Sequence, residues 1–336
     1  YEGAYTNLRP YCPCAPKSLN WMRLRLQSGE VPCVHGQSTF RYTERFGATH
    51  PEYFRLMENG KRNLEVNPER ENDCNTRQLC HTSRVWDEIY ADAKAYLSGR
   101  PASERGLKRW SVNTYGGRFV DIMPQDGFRP CQCAACKAAY TQKYGQHYAT
   151  DLIWSNTVAV ANRLKADGVK GFVTEMAYTP YAGIPDVEIP DNVKVMVAEG
   201  GPWSKSMPGL REREWRHVED WAAKVRGKVW VWTYLGKINS RRLPFVPQMT
   251  PHAYAEYFQR ISPFVFGAFC ESESDRAIFN YLNYYVFAKI GWNAKVDVDA
   301  LLDEHYRLMF GAGAEKMKAV YELMEKKWIS EIGGGT

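Results

Sequence analysis

Gly171-Phe172-Val173-Thr174 is a short run of strand-forming residues, set between a helical stretch over residues 140–164 and a second β-like run over residues 193–198. Strands that alternate with helices along a chain build parallel pairs through right-handed crossovers. The alternation continues in both directions. Downstream, residues 228–234 and 264–269 read as strands, with helical stretches at 211–225, 252–261 and 275–289. Upstream, residues 118–123 and 109–112 are β-like and residues 85–97 helical, while Gln78-Leu79-Cys80 and Val31-Pro32-Cys33-Val34-His35 are shorter strand candidates. With residues 5–11 as a frayed first strand, the count approaches eight. This predicts an α/β fold, a closed (β/α)8 TIM barrel over residues 1–290. No glycine fingerprint for a dinucleotide or a nucleoside triphosphate follows any strand, which weighs against a doubly wound sheet.

The remainder of the chain reads differently. Residues 297–310 form a helix stopped by Gly311-Ala312-Gly313, and the next helix carries Met317, Val320, Tyr321, Met324 and Trp328 on one face. Residues 291–332 are expected as extra C-terminal helices packed on the barrel, and Gly333-Gly334-Gly335 as a frayed end or linker.

Composition narrows the function classes. The 336 residues are 44% hydrophobic, enough for a large core, and the net charge of +6 comes from 44 basic against 38 acidic residues. Those charges are interspersed, and groups such as Arg211-Glu212-Arg213-Glu214 mark a solvated helix face, so no nucleic-acid partner is expected. No apolar run reaches the length of a membrane span. Tyr1 opens the chain without an initiator Met or a leader pattern, which points to a mature or excised chain. Eleven Trp and 21 Tyr bias the reading toward an amphipathic ligand such as a sugar, whose C–H faces stack on rings while its hydroxyls meet polar tips. Core packing is the plain alternative for any one ring.

The chemistry concentrates in Asp126-Gly127-Phe128-Arg129-Pro130-Cys131-Gln132-Cys133-Ala134-Ala135-Cys136. An acid at the end of a strand stands five positions before a C-x-C-x-x-C cluster. Three thiolates at this spacing can ligate one Zn²⁺, and Cys80 on a neighbouring loop can supply the fourth. A closed four-sulfur site is structural. Free thiols or a disulfide are the alternative, since nine cysteines do not make a dense disulfide framework in a chain this long. No organic cofactor is expected.

In a barrel the working residues sit at the C-terminal ends of the strands. That rule selects His35, Asp126, Tyr178, Glu199, Trp232, Tyr234, Glu271 and Glu273, with Trp203 in the loop after Glu199. Cleavage of a glycosidic bond needs one protonated and one ionised carboxyl group. Asp126 and Glu271 are the expected catalytic pair. His35, Tyr178, Glu199, Trp203, Trp232, Tyr234 and Glu273 are the expected substrate contacts, with Glu199 the main rival as catalytic carboxylate. The bland reading of Asp126 is a cap on the Asp-Gly turn.

The chain resembles a bacterial family of unknown function linked to polysaccharide degradation, seen as barrels related to glycoside hydrolases. The resemblance is carried by His50-Pro51-Glu52-Tyr53-Phe54, Gln78-Leu79-Cys80, Asp126-Gly127 with Cys131, Cys133 and Cys136, Ala177-Tyr178, Asp191-Asn192-Val193 and Tyr281-Leu282-Asn283-Tyr284-Tyr285. It also looks like α-glucuronidase and β-hexosaminidase barrels, in which an acid follows the fourth strand. Zinc-containing bacterial β-galactosidases have a similar cysteine cluster plus one earlier cysteine, which by similarity makes Cys80, Cys131, Cys133 and Cys136 the metal set. Those enzymes show Asn-Glu where this chain has Gln125-Asp126, a shorter acid. The Asp-Glu neighbours of hexosaminidases are absent, so an N-acetyl sugar is not implied. The resembled family carries a β-rich domain ahead of the barrel, and its members imply an extracellular or periplasmic location.

The resulting expectation is a glycoside hydrolase acting on a polysaccharide or oligosaccharide. A non-catalytic carbohydrate-binding barrel is the second reading. A metal-dependent hydrolase ranks last, because no His-x-His or His-Glu-x-x-His is present.

Overall fold

The computed structural model describes residues 5–6, 33–64, 78–110, 118–202, 207–235, 248–272 and 281–332. The strands are β1 Tyr5–Thr6, β2 Phe119–Asp121, β3 Phe172–Ala177, β4 Val193–Ala198, β5 Val229–Leu235 and β6 Val265–Ser272. The helices are α1 Tyr42–Phe46, α2 Val85–Leu97, α3 Ala134–Ala139, α4 Thr150–Ala166, α5 Pro208–Lys224, α6 Pro251–Ile261, α7 Tyr281–Trp292, α8 Val298–Phe310 and α9 Ala314–Ile332. The chain parts into two compact units, one of residues 30–197 and one of residues 1–29 with 198–336.

In the first unit, β2, β3 and β4 pair in parallel, with Asp121 opposite Thr174 and Ala177 opposite Val197. All three strands are largely buried, as expected of parallel strands covered on both faces. Helix α4 lays Ile153, Trp154, Val158, Ala161 and Leu164 into the core, and the Trp154 indole N–H donates to Tyr181 O at 2.9 Å. A buried ion network ties α1 to α2: the Arg45 guanidinium grips Asp92 at 2.7 and 2.9 Å, and Arg105 Nε adds a third bond at 2.7 Å. Asp92 is fully buried, so these guanidinium groups replace the water it has lost.

In the second unit, β1, β6 and β5 pair in parallel, with Trp232 opposite Phe269 and Tyr234 opposite Glu271. Helix α7 is apolar almost all round and buries Leu282, Val286, Phe287 and Ile290. Its Asn283 side chain accepts from Thr250 N and donates to Gln248 O, which explains one polar residue in the Tyr281–Tyr285 motif. Asp297 caps α8 by accepting from Ala300 N, and residues 291–332 fall in the same unit as β5 and β6.

His252, in the first turn of α6, carries a pH dependence. Glu325 of α9 accepts from the backbone N–H groups of His252 and Ala253, which have no partner within their own helix, and from His252 Nδ1 at 2.5 Å. The Nε2 atom meets Asp299 at 3.1 Å. Two ring nitrogens facing carboxylates are both donors, and the Glu325 bond, with help from Asp299, holds the imidazole pKa above its ordinary value. A raised folded-state pKa gives stability that is complete below the unfolded value of about 6.5 and is lost as pH rises through the folded value. The gap in melting temperature between the wild type and His252→Gln is therefore expected to be widest below about pH 6.5 and to close at higher pH, as read by melts across pH.

The eightfold barrel is corrected by these strands. Among the described residues there are five strands of three or more residues and the two-residue β1, all parallel where paired, against eight for the closed form. Residues 33–35 are not a strand, because Val34 N donates to the Asp121 carboxylate and His35 takes a left-handed conformation at φ 51°. Residues 78–80 hold a single antiparallel bridge, Leu79 to Phe54. Arg109 and Trp110 are irregular, and residues 111–112 lie outside the described set, as do most of 5–11. The helix expected from residue 140 begins at Thr150, after a turn at Gly145 with φ 57°. The architecture is α/β with parallel strands.

Candidate functional site

In parallel α/β folds, ligands bind beyond the carboxyl ends of the strands. Asp126 lies five residues past β2, Tyr178 one residue past β3, and the structure brings both to His35. Asp126 Oδ1 accepts from Gly127 N at 2.8 Å and from Tyr178 OH at 3.4 Å, and lies 3.7 Å from His35 Nε2. The rings of His35 and Tyr178 meet edge to face at 6.0 Å. His35 Nδ1 sits 2.9 Å from Pro124 O, and a carbonyl only accepts, so Nδ1 carries the proton and Nε2 is the atom that confronts Asp126. The side chain of Asp126 is 37% exposed. Its Oδ1 takes all of its described side-chain contacts.

The loop carrying Asp126 is clamped from two sides. Gln78 Nε2 donates to Asp126 O at 3.2 Å and Gly127 O at 2.6 Å, while Gln78 Oε1 accepts from Arg129 N at 2.6 Å. Two residues on, Cys80 enters the cysteine cluster. Cys80, Cys131, Cys133 and Cys136 place their sulfurs within 4.8 Å of one another and can hold a metal ion. Cys80 Sγ lies 3.6 Å from Cys133 Sγ and 3.7 Å from Cys136 Sγ. Four sulfurs bound tetrahedrally at about 2.3 Å stand roughly 3.8 Å apart, so the spacing fits one ion with four thiolates. No disulfide joins them.

Hydrogen-bond donors face the sulfurs. Leu56 N donates to Cys131 Sγ, Cys136 N to Cys133 Sγ, and the Thr82 hydroxyl lies 3.1 Å from Cys136 Sγ. The sulfhydryls of Cys131 and Cys136 hold Cys80 far below the ordinary thiol range, and the same contacts push Cys136 far above it. The His50–Phe54 segment and the residue after it hold the Gln78–Cys80 stretch: Tyr53 O accepts from Cys80 N, and Arg55 N donates to Gln78 O.

The remaining expected residues lie in the other unit. Glu271 is half-buried near the end of β6, in register with Tyr234 of β5. Trp232 and Tyr234 are half-buried, and the Trp232 ring meets Phe269 at 4.2 Å. Glu199 is bound to His217 of α5 through Nδ1, and His217 Nε2 accepts from the Trp221 indole N–H at 3.0 Å. Trp221 can only donate, so the neutral imidazole keeps its proton on Nδ1 and donates a hydrogen bond from it to the Glu199 carboxylate. Burial pushes the Glu199 carboxyl above its ordinary range, against the opposing pull of His217. The side chain of Glu199, 14% exposed, is thus engaged with α5. Trp203 and Glu273 lie outside the described residues.

Sequence reasoning missed His217, Thr82 and Asp121. His217 and Trp221 are four apart on one helical face, a signal hidden by the charged residues around them. Thr82 follows Cys80 by two positions but belongs to no ligand pattern.

A family described as a domain of unknown function (DUF4838) matches residues 17–322. No curated protein and no solved structure shows significant similarity to the chain.

Proposed function

We propose that this chain, which belongs to the DUF4838 family of domains of unknown function, is a glycoside hydrolase braced by a structural zinc ion. The observation that carries the reading is Asp126, whose partly exposed carboxyl group is held through Oδ1 by Gly127 N–H and Tyr178 OH beside His35. A partly exposed carboxyl group held through one oxygen is suited to proton transfer, because its rotamer is set before substrate arrives. Asp126 is the proposed acid, protonating the leaving oxygen as the glycosidic bond breaks. The chemistry requires a second carboxylate, and the sequence offers Glu271 for it, as nucleophile or base. Trp232 and Tyr234 supply aromatic faces for sugar C–H groups.

The zinc assignment rests on the donor set. Thiolates select soft or borderline cations, and four sulfurs at these spacings suit tetrahedral zinc. All four positions would be filled by protein, so the ion supplies rigidity. It would hold residues 131–136 against Cys80, and Gln78 would pass that rigidity to the Asp126 loop.

The test is turnover by the full chain across aryl glycosides and polysaccharides, uronic-acid polymers included. Release of reducing ends that disappears in Asp126→Asn supports the reading. Polysaccharide turnover that survives in that variant removes Asp126 from the role, and sugar binding without turnover favours a binding module.

A further inference from the structure

We propose that Asp121 is a positioning residue for the Asp126 site: its buried carboxylate gathers the backbone of the Val34–Gly36 turn and so holds His35 in the one orientation that faces Asp126. This rests on the reading of Asp126 and His35 as working residues, and it assigns a task to a carboxyl group that touches neither ligand nor metal.

Asp121 is the last residue of β2 and is fully buried. Oδ2 accepts from Val34 N at 2.5 Å, Oδ1 accepts from Met123 N at 2.9 Å, and Gly36 N is a further donor to the carboxylate. The Val34 and Gly36 N–H groups thus turn toward one anion from either side of His35, whose own N–H donates to Met123 Sδ at 3.3 Å. His35, between the two donors, is left-handed at φ 51° and ψ 42°. A non-glycine residue seldom adopts this conformation without a compensating contact.

Gly36 shows how close the fit is. A Cβ at that position would overlap the Asp121 carbonyl and crowd its Cγ, so the turn lies directly on the aspartate. Further bonds sew the same segment to the chain beyond Asp121: Gln37 N to Met123 O at 3.1 Å and Gln37 Nε2 to Ile122 O at 2.9 Å. The His35 ring then reaches Pro124 O through Nδ1, which directs Nε2 to Asp126. Asp121 thus fixes the backbone, Pro124 fixes the tautomer, and Asp126 meets the result.

The ionisation of this group bears on the device. Burial pushes the Asp121 carboxyl up to about 7, against the pull of the Met123, Val34 and Gly36 N–H groups. The titratable groups near it are Glu175 of β3, Cys33 at the start of the turn and Tyr181 beyond β3, each raised by burial and further by the negative charge of Asp121. None of the three brings a positive charge. Above neutrality the carboxylate accepts fully from the turn. Below it, protonation removes acceptor capacity and the grip on Val34 and Gly36 loosens.

The experiment reads His35 directly and needs no substrate. Histidine ¹⁵N spectra of the full chain, with the His35 signal assigned by His35→Gln, are compared between wild type and Asp121→Asn. Wild type at pH 8 is expected to show His35 protonated on Nδ1, and Asp121→Asn to show a mixture of tautomers with the other histidines unmoved. Should Asp121→Asn fail to fold, the Val34 and Gly36 amide shifts of the wild type serve instead, with an expected shared titration midpoint near 7. An unchanged His35 tautomer in a folded Asp121→Asn, or Val34 and Gly36 amides that do not titrate together, overturns the proposal. If sugars are turned over, Asp121→Asn is expected to lower kcat roughly tenfold or more with a smaller change in KM, and to lose a limb of the pH profile near neutrality. A changed tautomer in a chain that cleaves no sugar refutes the hydrolase reading and leaves the positioning role standing.

Discussion

On the proposed zinc reading, Cys136→Ser is expected to yield a metal-free chain destabilised by about 4 kcal/mol or more, the range in which loss of a structural ion falls. Cys136 is fully buried at the start of α3, and its sulfur lies against Cys80 and the Thr82 hydroxyl. A serine oxygen binds zinc poorly at a sulfur site and leaves three thiolates crowded around an incomplete set. Metal content per chain and urea midpoints measure the two effects together. Cys270→Ser is the control, because Cys270 is a buried thiol beside Thr233 in the other unit and its loss is expected to leave the metal in place. The clamp also predicts a functional consequence. Any Cys136→Ser that remains folded loses turnover, since Gln78 and Cys80 belong to one segment and Gln78 makes three bonds to the Asp126–Arg129 loop.

The second large effect separates the two carboxylates. Asp126→Asn and Glu271→Gln are each expected to lower turnover by about a hundred- to ten-thousand-fold on natural linkages, the usual weight of a positioned proton-transfer group. They diverge on aryl glycosides whose leaving group needs no proton. There Asp126→Asn recovers most of its rate, because the missing acid is no longer required, while Glu271→Gln stays slow. Kinetics across a series of leaving groups check the assignment, and equal behaviour of the two variants along that series contradicts it.

Much of the architecture was legible in hydrophobic pattern alone. Residues 85–97 and 193–198 fall on α2 and β4 as expected, because a well-formed amphipathic helix and a buried parallel strand leave strong periodic traces. The failures are equally specific. Val34-His35 looks like a strand by composition, yet Val34 N goes to the Asp121 carboxylate and His35 N to Met123 Sδ, partners 87 and 88 residues away that no local pattern announces. Gln78-Leu79-Cys80 reads as a short strand candidate, but it is held by side-chain bonds from Gln78 and by the cysteine cluster. Both errors inflated the strand count toward eight.

The site divides in the same way. Cys131, Cys133 and Cys136 were visible as a spacing, since three ligands within six residues form a local pattern. Asp126 was visible as an acid after a strand. His217 was not, because its meaning depends on Glu199, which lies 18 residues away and meets it only in the fold. Long-range hydrogen bonds of this kind are the part of a site that a single sequence encodes without displaying.

The most direct measurement follows one oligosaccharide, chosen from the substrates turned over, through binding and cleavage in wild type and Asp126→Asn side by side. The account predicts cleavage by the wild type, and by Asp126→Asn binding within a few-fold of the wild type with almost no product. Equal binding by both chains with cleavage by neither, or equal cleavage by both, would contradict it.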